Sequence, residues 1–129
     1  MTGIWKDYSD IFLIITGVTM LLAFGLPLIL VPIRWARVFR WEIPQQQTLA
    51  VFLGRSVGIF IAIMAIFAFK VTQMPEAKPF YFDLMLWTFA GMLILHIYGA
   101  LHKAQQVTET LEIIVWVVLV VVTLCFYPV

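Results

Sequence analysis

Four ionisable side chains interrupt apolar stretches of this 129-residue chain, namely Arg55, His96, Glu109 and Glu112. A charge in an apolar medium is costly, so such residues are expected to pair with one another or to serve a function. A guanidinium, an imidazole and two carboxylates could form a structural clamp between helices. They could equally form the polar floor of a binding site. The sequence identifies no reaction, and it leaves both interpretations open.

The composition indicates a membrane protein. Hydrophobic residues make up 64% of the chain and charged residues 12%, and the mean hydropathy is +1.04, far more apolar than an ordinary soluble domain. Four apolar segments, residues 10–31, 48–72, 80–103 and 107–127, are each close to the ~20 residues that a spanning helix needs. We therefore predict one all-α domain over residues 1–129, an antiparallel bundle of four transmembrane helices. The first segment is too long for a removable signal peptide and lacks a small-residue cleavage site.

The spans place the four ionisable residues at similar depths. Arg55 lies seven residues into the second span, and His96 lies seven residues before Lys103, at the end of the third. At ~1.5 Å per residue, both are about 10 Å from the same membrane surface. Glu112 is about 7 Å deep in the fourth span, with Glu109 one turn nearer the surface on the same face. All four are predicted to lie in one leaflet.

The clamp hypothesis pairs Arg55 with Glu112 or Glu109, with His96 hydrogen-bonded alongside, and ties the second helix to the third and fourth. In the alternative, Arg55 and His96 donate to a carbonyl, quinone or lipid head group between apolar walls. We favour the clamp. His96 and His102 point about 120° apart on one helix, so they cannot grip an ion together. His96 with Glu109 or Glu112 could bind a divalent ion, but we favour a hydrogen-bonded histidine in a polar bundle centre. We therefore predict no metal site, no catalytic residue and no cofactor, while a bound lipid or quinone is compatible with the pattern.

Arginines alternate with aromatic residues between the first two spans, in residues 32–47. Aromatic rings favour the headgroup level, and arginines reach lipid phosphates, so this segment is predicted to lie at the membrane interface. The predicted anchors are Arg34, Trp35, Arg37, Arg40 and Trp41. Three arginines in one short loop favour the cytoplasmic side for it, which places both termini on the non-cytoplasmic side.

Small residues line one side of the second span. Gly54, Gly58 and Ala62 form a small-xxx-small ridge, which lets another helix approach closely.

The single cysteine, Cys125, is interpreted as an apolar filler. The basic residues form no continuous stripe, so nucleic acid is not an expected partner.

Two sequence runs carry a resemblance to a known family. GRSVGIF, residues 54–60, and LWTFAGMLILH, residues 86–96, resemble the second and third helices of the four-helix ergosterol-biosynthesis scaffold family. There an Arg-Thr-Phe-Gly-Ile-Trp run precedes a Leu-Trp-Thr-Phe run and a histidine. DoxX-like four-helix membrane proteins similarly carry an Arg and a Gly early in helix two. The resemblance implies a four-helix architecture and a scaffold that holds membrane enzymes together.

The leading hypothesis for function is a non-catalytic accessory or scaffold subunit of a larger membrane complex. Its partners would be membrane lipids and other integral membrane proteins, or further copies of this chain. Its location would be the plasma (inner) membrane, or the endoplasmic reticulum in a eukaryote. The rival hypothesis is a small membrane enzyme, or a binder of a quinone, sterol or lipid, that uses Arg55, His96 and Glu112.

Overall fold

The computed structural model describes residues 2–129, and within them every regular element is a helix. A short 3₁₀ turn, Lys6–Tyr8, leads into the first helix, and another, Pro75–Ala77, precedes the third long helix. The remaining elements are α1 (Ser9–Met20), a π-helical segment (Leu21–Gly25), α2 (Leu26–Leu30), α3 (Pro32–Val38), α4 (Thr48–Val71), α5 (Lys78–Leu101) and α6 (Val107–Phe126). The predicted all-helical class is confirmed.

Four helices are long and apolar enough to cross a membrane: Lys6–Leu30, Thr48–Val71, Pro75–Leu101 and Val107–Phe126. The second and fourth begin at the predicted residues, whereas the first and third begin a few residues earlier than the apolar pattern indicated. Both early starts are 3₁₀ turns that contain charged residues. Hydropathy alone therefore placed them outside the spans.

The chain divides into two compact units. Residues Leu13–Gln73 form one, which contains all four arginines and is called the arginine unit here. Residues 2–12 and Met74–Val129 form the other, which contains both histidines and is called the histidine unit.

Two prolines interrupt the helical path of the arginine unit. Pro27 has no N–H to give to the carbonyl of Ala23, and the preceding turn widens into the π-helical segment Leu21–Gly25. The chain then leaves the helix at Val31, with φ −138°, and resumes as α3 with Pro32 in its first turn. These interruptions leave backbone carbonyls that need other donors.

The small residues of α4 lie against this interrupted helix. A Cβ added at Gly58 would lie 2.9 Å from both the Gly25 carbonyl oxygen and the Ile29 nitrogen. A Cβ at Gly54 would lie 2.9 Å from Pro32 Cβ, and Ala62 faces Gly25. Gly58 thus permits direct backbone contact, as small residues do between spanning helices.

The histidine unit is built around the α5–α6 pair, whose core is aromatic. Phe12 stacks on Phe126 with ring centroids 4.8 Å apart, and tilts against the fully buried Phe82 at 5.8 Å. The backbone N–H of Gly3 donates to Leu124 O at 2.9 Å. This hydrogen bond joins the segment near the N-terminus to the end of α6. The adjoining aromatic core helps to position the polar residues farther along α5.

Candidate functional site

His96 is the centre of the candidate site. It lies in the fifth turn of α5 and is only 4% exposed. Its Nδ1 is 2.7 Å from the carbonyl oxygen of Met92, one turn earlier. Because a carbonyl oxygen only accepts, Nδ1 must carry a proton and donate to it. This bond fixes the ring orientation and directs the other nitrogen, Nε2, toward α6.

Two carboxylates and an indole converge on His96 Nε2. Glu109 Oε2 lies 2.9 Å from it and Glu112 Oε2 lies 3.4 Å from it. The two glutamates share one face of α6 because they are three residues apart. The indole Nε1 of Trp116 is 3.3 Å from the same nitrogen. We call these four residues, His96, Glu109, Glu112 and Trp116, the histidine cluster.

A single nitrogen cannot satisfy all three neighbours at once. If Nε2 carries a proton, it donates to a carboxylate but cannot accept from the Trp116 N–H. If Nε2 is unprotonated, it accepts from Trp116, but its lone pair then faces the oxygens of Glu109 and Glu112. The side chains of both glutamates are mostly buried, at 10% and 20% exposure, where unbalanced charge is costly. Additional positive charge at this point, as a proton or a metal ion, would relieve the conflict.

The connection between α5 and α6 holds the cluster in register. Gln105 Nε2 donates to the carbonyl oxygen of His96 at 2.9 Å and to Thr110 Oγ1 at 3.2 Å. Gly99 makes room for this side chain, because a Cβ there would collide with it. Sequence reasoning missed Gln105. The sequence feature that could have indicated this role was a glycine near the end of an apolar helix, followed by a polar residue in a very short loop.

Arg55 lies in the arginine unit and is exposed, whereas His96 and Glu109 are buried. Its Nε donates to the carbonyl oxygen of Ile29 at 3.2 Å. This oxygen belongs to the last turn of α2, where helical carbonyls lack partners and a cation complements the helix dipole. Arg55 thus stabilises the end of an interrupted helix. The predicted tie from Arg55 to Glu112 would join the two units, and it stays a prediction.

Trp35 has a similar role in the same unit. Its indole Nε1 donates to the carbonyl oxygen of Ala23 at 3.0 Å, the group that Pro27 cannot reach. Its ring packs on Phe39, with centroids 4.5 Å apart, and against Phe24. Trp35 was predicted as an interfacial anchor, and the structure shows a backbone carbonyl as its hydrogen-bond partner. The other predicted anchors, Arg34, Arg37, Arg40 and Trp41, are exposed.

Three of the four arginines line one groove in the arginine unit. The open groove has a volume of about 320 Å³, and its polar lining consists of Arg34, Arg37 and Arg55. Its apolar lining is Val31, Pro32, Ile33 and Val51. The arginine unit contains one acidic residue, Glu42. Three arginines that line an apolar groove provide cations close to a hydrocarbon surface, a combination that suits an anion with a hydrocarbon tail.

Outside these sites, His102 is exposed and stacks on Tyr98 with ring centroids 4.1 Å apart. Farther along the histidine unit, the Tyr127 hydroxyl donates to Asp83 Oδ1 at 2.7 Å. This hydrogen bond, followed by partial burial and the nearby negative charge, raises the pKa of Tyr127 above its ordinary value. Lys78 pairs with Asp10 at 2.6 Å.

Comparison with known proteins adds no assignment. The resemblance to the four-helix ergosterol-biosynthesis scaffold family and to DoxX-like proteins therefore stays a prediction. No family model, curated protein or solved structure matches this chain.

Proposed function

We propose that this chain is an integral membrane protein whose four long helices cross the bilayer as an antiparallel bundle. The support is the large apolar surface that the helices leave exposed, including Trp87 at 79%, Phe60 at 70% and Ile114 at 68% exposure. Soluble monomers rarely expose so many large apolar side chains. In this arrangement, α3 and its arginines lie at the cytoplasmic surface of the plasma membrane, and both termini lie on the opposite side.

Labelling of introduced cysteines tests this topology. The native Cys125 is buried and gives a low background. Gln45→Cys should react with a membrane-impermeant maleimide only from the cytoplasmic side, and Glu76→Cys only from the other side. Labelling of both variants from one side would overturn the four-span arrangement.

The role that the geometry supports best is that of an accessory subunit that packs laterally on another membrane protein. One observation carries this proposal: a Cβ added at Gly91 would meet no described atom within 4 Å. Gly25, Gly54 and Gly58 are all used for close packing within the chain, whereas Gly91 lies open on α5 beside the exposed Trp87. A glycine inside a helix costs about 1 kcal/mol relative to alanine. A transmembrane helix of a partner protein that packs on this notch would account for it.

Co-purification in mild detergent tests the accessory role. Gly91→Phe should fill the notch and remove a stably associated membrane protein from the sample. Val115→Phe, which enlarges an exposed residue of α6, is the matched control and should retain it. If Gly91→Phe retains the same partner at the same yield, this face is not the docking surface. A second copy of the chain as the only associated protein would replace the accessory role with a homo-oligomer.

A polar tie between Arg55 and the histidine cluster is part of the same proposal. Arg55→Leu and Glu112→Leu are each expected to lower the folded yield in detergent. If the two side chains pair, the double variant should recover part of that yield, because neither charge is then left alone. Additive losses would remove Arg55 from the tie and leave its bond to Ile29 as its sole role.

A second function, binding of an anionic lipid, is favoured by the groove of Arg34, Arg37 and Arg55. Native mass spectrometry should show phosphatidylglycerol retained in preference to phosphatidylcholine. Arg37→Gln should weaken that retention, whereas Lys70→Gln, which removes a cation outside the groove, should not. Equal retention of both lipids would contradict this function. A quinone or sterol retained instead would favour the rival hypothesis, in which His96 and Glu112 hold a lipophilic ligand.

A further inference from the structure

We propose that His96, Glu109 and Glu112 form a binding site for a divalent transition-metal ion. The site goes beyond the accessory role and does not depend on a partner protein. It uses one nitrogen and two oxygens from the two helices of the α5–α6 pair. The sequence had favoured a hydrogen-bonded histidine over a divalent ion held by His96 with Glu109 or Glu112.

The separations of the three ligand atoms suit a small metal ion. His96 Nε2 and the two carboxylate oxygens all lie within 4.8 Å of one another. Bonds of about 2.0–2.2 Å in a tetrahedral site place neighbouring ligand atoms roughly 3.4 Å apart. Nε2 is 2.9 Å from Glu109 Oε2 and 3.4 Å from Glu112 Oε2. Small side-chain rotations would therefore bring the three atoms around one centre.

The histidine is already oriented as a ligand. Its Nδ1–H is held by the Met92 carbonyl oxygen, so Nε2 is the nitrogen that faces the glutamates and that a metal ion would bind. Metal-bound histidines commonly show this arrangement, in which the second ring nitrogen donates to a carbonyl or carboxylate. The Met92 carbonyl would thus orient the ring and select the tautomer that binds a metal.

Charge balance also favours a divalent metal ion at this site. A divalent cation would neutralise the two carboxylates in surroundings where a net charge of −2 is costly. It would also relieve the conflict at Nε2, because the lone pair and both oxygens would then face positive charge. Trp116 would be displaced as a donor to Nε2, and its indole would remain beside the site.

A further hydrogen-bond acceptor, near the N-terminal end of α6, has no partner in the described part of the chain. Gln106 is the N-cap residue of α6, three residues before Glu109, and its Oε1 is buried without a hydrogen-bond partner among residues 2–129. An amide oxygen can bind a cation directly or through water. This observation is independent of the contacts inside the histidine cluster.

The ligand set indicates the class of ion. An imidazole nitrogen disfavours Ca²⁺ and Mg²⁺, whereas one nitrogen with two carboxylate oxygens suits Zn²⁺, Fe²⁺ or Mn²⁺. Three protein ligands would leave a coordination position for water or another small ligand, as in catalytic zinc sites. Glu112, the most exposed of the three at 20%, lies on the side through which an ion could enter.

The experiment uses the full chain, purified in detergent without a polyhistidine tag and stripped with a chelator. Titration calorimetry with Zn²⁺ should show one equivalent bound, and Co²⁺ should give a visible absorption band from an N/O site. Glu112→Gln keeps the side-chain shape and should weaken Zn²⁺ binding by at least about tenfold. His96→Gln should remove the Co²⁺ band, whereas the control His102→Gln should leave both signals unchanged.

Several outcomes would overturn the site. One is the absence of stoichiometric binding to the wild-type chain at neutral pH. Another is wild-type affinity in Glu112→Gln, a variant whose folding is checked by circular dichroism. A third is loss of binding in His102→Gln.

Discussion

The two units of the molecule differ in the partners of their polar side chains. The arginine unit contains five basic residues and one acidic residue, and its Trp35 and Arg55 donate to backbone carbonyls. The histidine unit contains three basic and six acidic residues. There, besides bonds to backbone carbonyls, polar side chains also pair with one another, such as His96 with Glu109 and Tyr127 with Asp83.

The difference follows from the regularity of the helices. Pro27 and Pro32 interrupt the first long helix and release carbonyls, which need donors because water is scarce in an apolar medium. The long helices α5 and α6 carry no internal interruption, so their backbone groups are already bonded. A polar side chain there either shares a carbonyl that is already bonded, as His96 Nδ1 does, or pairs with another side chain. An ionisable residue beside a broken helix is therefore readily explained by structure, whereas one between regular helices is a candidate for function.

The largest effect should come from removing the central residue of the histidine cluster. His96→Phe keeps an aromatic ring but leaves Glu109 and Glu112 without the imidazole. Stranding a buried charge in this way typically costs about 3–5 kcal/mol. Chemical unfolding in detergent, followed by circular dichroism, would measure this loss.

The matched control is His102→Phe, because His102 is exposed and its stacking on Tyr98 can be retained by phenylalanine. We expect its stability to stay within about 0.5 kcal/mol of the wild type. Equal effects of the two substitutions would mean that the histidine cluster does not differ energetically from the surface of the same unit.

Gly58→Ala should have the next largest effect, in the arginine unit. The new Cβ would approach the backbone at Gly25 and Ile29, and backbone atoms cannot move aside as a flexible side chain can. Overpacking of this kind costs about 1–3 kcal/mol. Gly91→Ala is the control, since its Cβ meets open space and alanine favours the helix. In thermal unfolding, Gly58→Ala should lower the melting temperature and Gly91→Ala should raise it.

Sequence reasoning predicted most of the helical framework, because the apolar segments have the length and composition of spanning helices. It also placed His96 near Glu109 and Glu112, since helical rise alone puts them at similar depth. It could not find the partners of Arg55 and Trp35. These depend on which carbonyls the prolines release and on which helix faces α4, and neither is encoded in local periodicity. The role of Gln105 likewise depends on the path of a short loop.

Arg55→Leu should lower stability by about 1–2 kcal/mol, because the Ile29 carbonyl loses a charged donor at an exposed position. Arg55→Lys should recover only part of the loss, since a lysine lacks the fork of guanidinium donors. Arg37→Leu serves as the control, because it removes a cation from the same groove without touching this carbonyl. If Arg37→Leu costs as much, charge in the groove matters more than the bond to Ile29.

The smallest effect should come from Tyr127, whose hydrogen bond to Asp83 is an exposed contact of the histidine unit. Tyr127→Phe removes the hydrogen bond to Asp83 and should cost below about 1 kcal/mol. Because this bond raises the pKa of Tyr127 above 10.0, its contribution is fully present below pH 10 and is lost as the pH rises through the raised value.

Unfolding of the wild type and Tyr127→Phe between pH 7 and 11 isolates this contribution, because all other titrating groups are common to both proteins. The stability difference should be constant up to about pH 9 and should shrink above pH 10. A difference that grows with pH would mean that the ionised tyrosine is the stabilising form. That result would contradict the pairing with Asp83, since two negative charges at hydrogen-bond distance repel each other.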